Sequence, residues 1–129
     1  MRVSKGMMVV TLASCVIGAA SAQAQSQADQ MKVMYQAGRN QLGVLEFCQD
    51  KGFSDAETIA VQQKLLGMIP STDKSSGDEA EATGRKGTIA AMGIKQDLEA
   101  AAKTQGSSVE KLCQAMSTAI KQVGAQLPK

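Results

Sequence analysis

The residues best suited to chemistry in this chain are its three cysteines, Cys15, Cys48 and Cys113. Cys15 falls in an N-terminal stretch that reads as a signal peptide, so we expect export to remove it. Cys48 and Cys113 fall in apolar, helix-periodic stretches, and an even number of cysteines in an exported protein favours a disulfide bond between them. Because the chain has no C-x-x-C motif, thiol–disulfide exchange is not expected as an activity.

Other catalytic chemistry finds little support in the sequence. The chain has no histidine, which removes the commonest general base and the usual zinc ligand. The run GRKGT at residues 84–88 lacks the spacing of a phosphate-binding loop. The acidic run DEAE at residues 78–81 lacks the regular alternation of a calcium loop. We therefore predict a protein that is not an enzyme and that has no cofactor and no metal site.

The N-terminal stretch determines where the protein is expected to act. Arg2 and Lys5 precede an uncharged apolar run, and two A-x-A sites follow it, so residues 1–24 are predicted to be a cleaved signal peptide. Residues 25–129 then form one domain in an exported protein, periplasmic or secreted. An alternative interpretation is that the pattern before Cys15 directs lipidation, which would anchor the protein to a membrane.

Charge and aromatic content argue against a nucleic-acid partner. The chain has 14 basic and 12 acidic residues, and removal of Arg2 and Lys5 leaves 12 of each. It has one tyrosine, two phenylalanines and no tryptophan. A neutral domain with so few aromatics has neither the basic face nor the stacking platforms that nucleic-acid binding uses, so no nucleic acid is expected as a partner.

The hydrophobic pattern predicts an all-α fold, a small antiparallel bundle of about four helices with one disulfide. The first helix runs from about Gln30 to a glycine stop at Gly52. An S-x-x-E capping box at residues 54–57 starts the second helix, and a loop follows near residues 70–77. A second S-x-x-E box at residues 107–110 starts the last helix.

The predicted third helix, residues 77–105, differs from the others. Its heptad seam consists mostly of small residues, which lets helix backbones approach closely. Glycine within a helix costs about 1 kcal/mol relative to alanine, so Gly84, Gly87 and Gly93 weaken this helix unless close packing compensates. We predict that residues 71–93 form a flexible segment that rearranges when a partner binds.

Four stretches of the chain, NQLGVLEFCQDKGF, KLLGMIP, GTIAAMG and KQVGAQLPK, together resemble a set of small exported proteins from alphaproteobacteria. These belong to a family described as pore-forming, early secreted antigenic target (ESAT-like) proteins. The resemblance covers nearly the whole mature chain. It implies a small helical secreted protein that assembles on or perforates membranes, and it transfers no functional residues to this chain.

Two functions are expected from these observations. The first is an interaction protein of the cell envelope, which binds an unidentified envelope protein or a membrane surface and is able to form a homo-oligomer. The second is a periplasmic stress chaperone, a holdase that exposes apolar surface to clients. Leakage of lipid vesicles would favour the first function, and suppression of client aggregation would favour the second.

Overall fold

The computed structural model describes residues 26–70 and 73–129. The predicted signal peptide, its cleavage site and Cys15 lie outside these described residues. Five helices and one β-hairpin occur in the described part of the chain. In order they are α1 (Gln27–Asp50), α2 (Ala56–Gly67), α3 (Lys74–Arg85), β1 (Thr88–Ala91), β2 (Ile94–Asp97), α4 (Leu98–Thr104) and α5 (Val109–Ala125).

Helix α1 ends where the sequence predicted. Gly52 adopts a φ of +80°, a left-handed conformation that glycine enters without steric cost. The backbone N–H of Phe53 donates to the carbonyl of Cys48 at 2.8 Å, which satisfies one of the last helical carbonyls. The chain then reverses direction, and α2 begins at Ala56.

Helices α2 and α5 each begin one residue later than the capping boxes predicted. The N-caps are Asp55 and Ser108, whose side chains accept the backbone N–H three residues further on at 2.9 and 3.2 Å. The hydroxyl of Ser54, free of a capping role, instead lies 2.8 Å from the hydroxyl of Ser117. This hydrogen bond joins the start of α2 to α5.

The prediction of a mostly helical fold is confirmed, but residues 77–105 do not form one helix, so the described part of the chain is five helices with a small sheet and not an all-α bundle of about four helices. The segment forms α3, the antiparallel hairpin β1–β2 and the short helix α4. Three residues break the helix because they have positive φ: Gly87 at 82°, Met92 at 53° and Gly93 at 78°. Helix α3 also begins at Lys74, inside the stretch predicted to be a loop.

The predicted disulfide is confirmed and lies in an apolar cluster formed by α1, α4 and α5. The sulfurs of Cys48 and Cys113 are 2.07 Å apart, their Cα atoms are 5.6 Å apart, and neither residue is exposed to solvent. The bond joins α1 to α5. Val44 and Leu98 complete the buried part of this cluster.

A second apolar cluster lies between α1 and α2. Its buried members are Tyr35 and Leu42 on α1 and Leu66 on α2. The amide of Gln62 adds a polar link, because its Nε2 donates to the carbonyl of Gly38 at 3.0 Å. Helix α1 therefore contacts α2 and α5 through apolar clusters, and it also contacts α3 and β1.

Candidate functional site

Helices α1 and α3 meet backbone to backbone, and this contact positions the hairpin. A Cβ atom added to Gly84 would lie 2.2 Å from the carbonyl oxygen of Asn40 and 2.7 Å from the nitrogen of Val44. A Cβ atom on Gly43 would lie 2.0 Å from the carbonyl oxygen of Glu81. The predicted close approach of a small-residue helix is therefore present, and it requires glycine on both sides. That Gly84, Gly87 and Gly93 make this segment flexible stays a prediction.

Asn40, which is 3% exposed, attaches the hairpin to α1. Its Nδ2 donates to the carbonyls of Ala80 at 3.1 Å and Thr88 at 3.0 Å, and its Oδ1 accepts from the N–H of Ala90 at 2.9 Å. The amide thus bonds a carbonyl and an N–H two residues apart on β1, as a neighbouring strand would. One buried side chain satisfies three backbone groups and occupies the outer edge of β1.

An ion network holds α3 to α1 beside Asn40. Arg39 donates from Nε to Glu81 at 2.7 Å, from Nη2 to Asp78 at 2.6 Å and from Nη1 to the Tyr35 hydroxyl at 2.7 Å. Arg85 donates to the second oxygen of Glu81 at 2.5 Å. Glu81, which is 8% exposed, therefore accepts from two guanidinium groups.

The pKa of Arg39 reflects the same contacts. Burial by itself would lower the pKa of the guanidinium, but the hydrogen bonds to Asp78, Tyr35 and Glu81 outweigh burial and raise it. The side chain stays charged and is engaged by three partners. The network therefore serves the α1–α3 contact and does not present a free cation to a ligand.

The acidic run at residues 78–81 supplies these ion pairs, since Asp78 and Glu81 both contact Arg39. Across residues 26–70 and 73–129, no group of three or more histidine, cysteine, aspartate or glutamate side chains is arranged to hold a metal ion. Within the same residues, no helix combines the length and the apolar character that a membrane crossing requires.

The tip of the hairpin combines exposure with an unfavourable backbone conformation. Met92 is 88% exposed and has a φ of 53°, and Gly93 follows with a φ of 78°. Positive φ at both central residues is typical of a type I′ turn, which favours Asn-Gly. A non-glycine residue in this region costs roughly 1–2 kcal/mol. Because the Met92 side chain is exposed, burial of apolar surface does not offset this cost.

A groove of about 690 Å³ lies between α1, α3 and the hairpin. Its half-buried apolar lining consists of alanines, Ala37, Ala80 and Ala90. Its large exposed apolar residues are Val33, Met92 and Ile94, which are 39%, 88% and 70% exposed. The groove therefore has small side chains within it and large, adaptable apolar side chains at its margin.

Comparison of this chain with protein-family models, with curated proteins and with solved structures found no match. The resemblance to pore-forming, early secreted antigenic target proteins stays a prediction.

The sequence reasoning missed Asn40 and the hairpin tip. The tip had only part of a hairpin signal: Met92–Gly93 separates the short runs TIAA and IKQD, each with at least one β-branched residue, but Met-Gly is not a favoured turn pair. For Asn40 the signal was weaker. It lies three and four residues before Gly43 and Val44, on the face of α1 that α3 covers.

Proposed function

We propose that this protein is a non-enzymatic, exported binding protein that takes an apolar segment of a cell-envelope protein into the groove between α1, α3 and the hairpin. The observation that supports this most is Met92. A strained backbone conformation that persists in a structure points to a role outside folding. Methionine is also a side chain that adapts to differently shaped apolar partners.

The chemistry of the groove favours a protein segment over a lipid surface. The groove is concave, whereas a bilayer surface is broad and nearly flat. Its charged lining residues are Glu79 and Lys95, one of each sign, and not the cluster of cations that attracts anionic lipid headgroups. Polar lining residues, Gln36, Ser76 and Thr83, supply hydrogen-bonding partners for the backbone of a bound peptide.

Replacing Met92 by asparagine tests the proposal because it separates folding from binding. Asparagine is favoured at this turn position, so the Met92→Asn variant should be more stable than the wild type by about 1 kcal/mol. The same change removes an apolar contact worth roughly 1.5–3 kcal/mol when buried, so affinity for the partner should fall about tenfold or more.

The matched control is Met68→Asn. Met68 is also exposed, at 62%, but it follows α2 and does not line the groove. Tagged wild-type protein and both variants would be incubated with solubilised envelope protein, and the bound proteins quantified by mass spectrometry. We expect a partner that is retained by the wild type and Met68→Asn and is depleted about tenfold with Met92→Asn.

Equal recovery by all three proteins would refute the proposal. Two other outcomes would replace it. Leakage of lipid vesicles that Met92→Asn abolishes and Met68→Asn leaves intact would favour the pore-forming activity that the resemblance implies. Suppression of aggregation of many unrelated clients, with the same dependence on Met92, would favour a periplasmic holdase.

A further inference from the structure

The hairpin has one edge occupied and one edge open. Asn40 bonds the carbonyl of Thr88 and the N–H of Ala90, so these groups point away from β2. In the antiparallel register, Thr88 is opposite Asp97 and Ala90 is opposite Lys95. In an antiparallel pair, the backbone groups of two opposed residues either both point toward each other or both point away. The N–H and carbonyl of Lys95 and the N–H of Asp97 therefore point outward, on the far edge of β2. The carbonyl of Asp97, which is the N-cap of α4, is shared with the first turn of that helix.

Nothing in the described part of the chain lies along that far edge. The sheet has two strands, and all four residues of β2 are exposed. Lys95 forms no ion pair with any residue that the structure describes. An open strand edge is a template for pairing with another strand.

We propose that two copies of this chain pair antiparallel through the open edges of β2, about a two-fold axis at Gln96, to form a four-stranded sheet. The inference does not depend on the groove or its partner. It depends on the order of charges along Ile94–Asp97, which makes this edge complementary to itself.

Backbone orientation and charge together select one register. Only residues whose backbone groups point outward can form hydrogen-bonded pairs across the new interface, so Lys95 or Asp97 of one copy must be opposite Lys95 or Asp97 of the other. Three symmetric registers meet this condition. Two of them set lysine against lysine or aspartate against aspartate, which destabilises a strand pair. The third, centred on Gln96, sets Lys95 against Asp97 twice.

The side chains agree with this register. Lys95 and Asp97 are two residues apart on one strand and therefore project from the same face of the sheet. The Asp97 carboxylate accepts from the hydroxyl of Thr88 at 3.0 Å, which holds it on that face. Because a two-fold contact uses the same edge of both copies, the pairing closes at a dimer and does not extend into a fibre.

Charge exchange provides the test, with the mature protein in analytical ultracentrifugation. The wild type should sediment as a dimer. Lys95→Asp and Asp97→Lys should each be monomeric, with a dissociation constant raised about tenfold or more, because each brings like charges together twice. Mixing the two variants should give a heterodimer, because residues 95 and 97 of opposite copies then carry opposite charges in both pairs. The double variant Lys95→Asp with Asp97→Lys should dimerise by itself.

Lys111→Asp is the control for net charge, because Lys111 is exposed on α5, away from β2. It should dimerise like the wild type, and circular dichroism would confirm that each variant is folded. A wild-type protein that stays monomeric at millimolar concentration would overturn the inference. So would a dimer that both single variants retain, or a mixture of folded single variants that stays monomeric. If one single variant does not fold, the double variant decides. Its dimerisation would support the inference, and a folded double variant that stays monomeric would overturn it.

Discussion

Replacing Gly84 by alanine tests whether α1 and α3 meet backbone to backbone. The new Cβ atom would lie 2.2 Å from the carbonyl oxygen of Asn40 and 2.7 Å from the nitrogen of Val44. Both atoms belong to the backbone of α1, so no side-chain rotation relieves the overlap. The two helices must separate by about an ångström for ordinary van der Waals contact, near 3.5 Å, to be restored.

The expected change in the free energy of unfolding is the balance of two opposing effects. Overpacking a well-packed contact costs typically 1–3 kcal/mol, and the upper end applies here because the obstructing atoms are backbone. Alanine in place of glycine within a helix returns about 1 kcal/mol. We therefore expect Gly84→Ala to lower the free energy of unfolding by about 2 kcal/mol. In a domain of this size that corresponds to a melting temperature lower by roughly 10 °C.

Gly67→Ala is the matched control, because Gly67 is also helical and nothing lies within 4 Å of its added Cβ atom. It should be stabilising by up to about 1 kcal/mol. The assay is urea unfolding followed by circular dichroism at 222 nm with the disulfide intact. If Gly84→Ala proved as stable as Gly67→Ala, the close contact would be absent, and the glycine would have to serve flexibility.

Three further predictions concern other contacts. Asn40→Ala should destabilise the fold by roughly 3 kcal/mol, because three hydrogen bonds are lost and buried backbone groups are left unpaired. A decrease in the free energy of unfolding below about 1 kcal/mol, measured in urea, would contradict the attachment of the hairpin to α1. The hydrogen bond from Lys121, together with those from the backbone N–H and the hydroxyl of Thr58, lowers the pKa of Asp55 to about 2. Its stabilising contribution is therefore complete above the unfolded pKa, near 3.9, and is lost as the pH falls to about 2. The melting temperature of Asp55→Asn should then fall less than that of the wild type between these pH values, and parallel curves would refute this. Exchanging both Cys48 and Cys113 for alanine should lower the free energy of unfolding by about 4 kcal/mol, because the bond spans 65 positions. Unchanged stability in urea unfolding would show that the bond does not constrain the unfolded chain.

The parts of the fold that sequence predicted are those set by local signals. Helices α1, α2 and α5 follow from apolar residues at helical spacing, and the end of α1 follows from Gly52. The disulfide follows from cysteine count and the inference of export. The N-caps were displaced by one residue because Asp55 and Ser108 were equally close to the apolar runs. A side-chain acceptor at either neighbouring position satisfies the same rule.

The hairpin could not be predicted in the same way, because its main partner is distant in sequence. Asn40 is 48 positions from Thr88 and 50 from Ala90. A pairing over such a distance leaves no periodic pattern in the sequence. The strands have four residues each, too few for an alternating pattern to stand out. Met92 also occupies a left-handed position where glycine or asparagine would have signalled a turn.

The hairpin is fixed by the hydrogen bonds of Asn40 and by Ile89, which packs against the disulfide cluster, whereas the disulfide and apolar packing hold α5 to α1. Helix α3 has no large apolar residue to contribute to the core, and it is held instead by Gly43, Gly84, Arg39 and Asn40. Backbone contact and buried hydrogen bonds depend on geometry more strongly than apolar burial does. Helix α3 and the hairpin therefore have one well-defined position on α1, and a small displacement breaks several bonds together. This arrangement allows the segment to carry Met92 at a fixed position above the groove. It also allows the segment to separate from α1 as a unit while the disulfide holds α1 to α5, which is the form that the predicted flexibility of residues 71–93 would take.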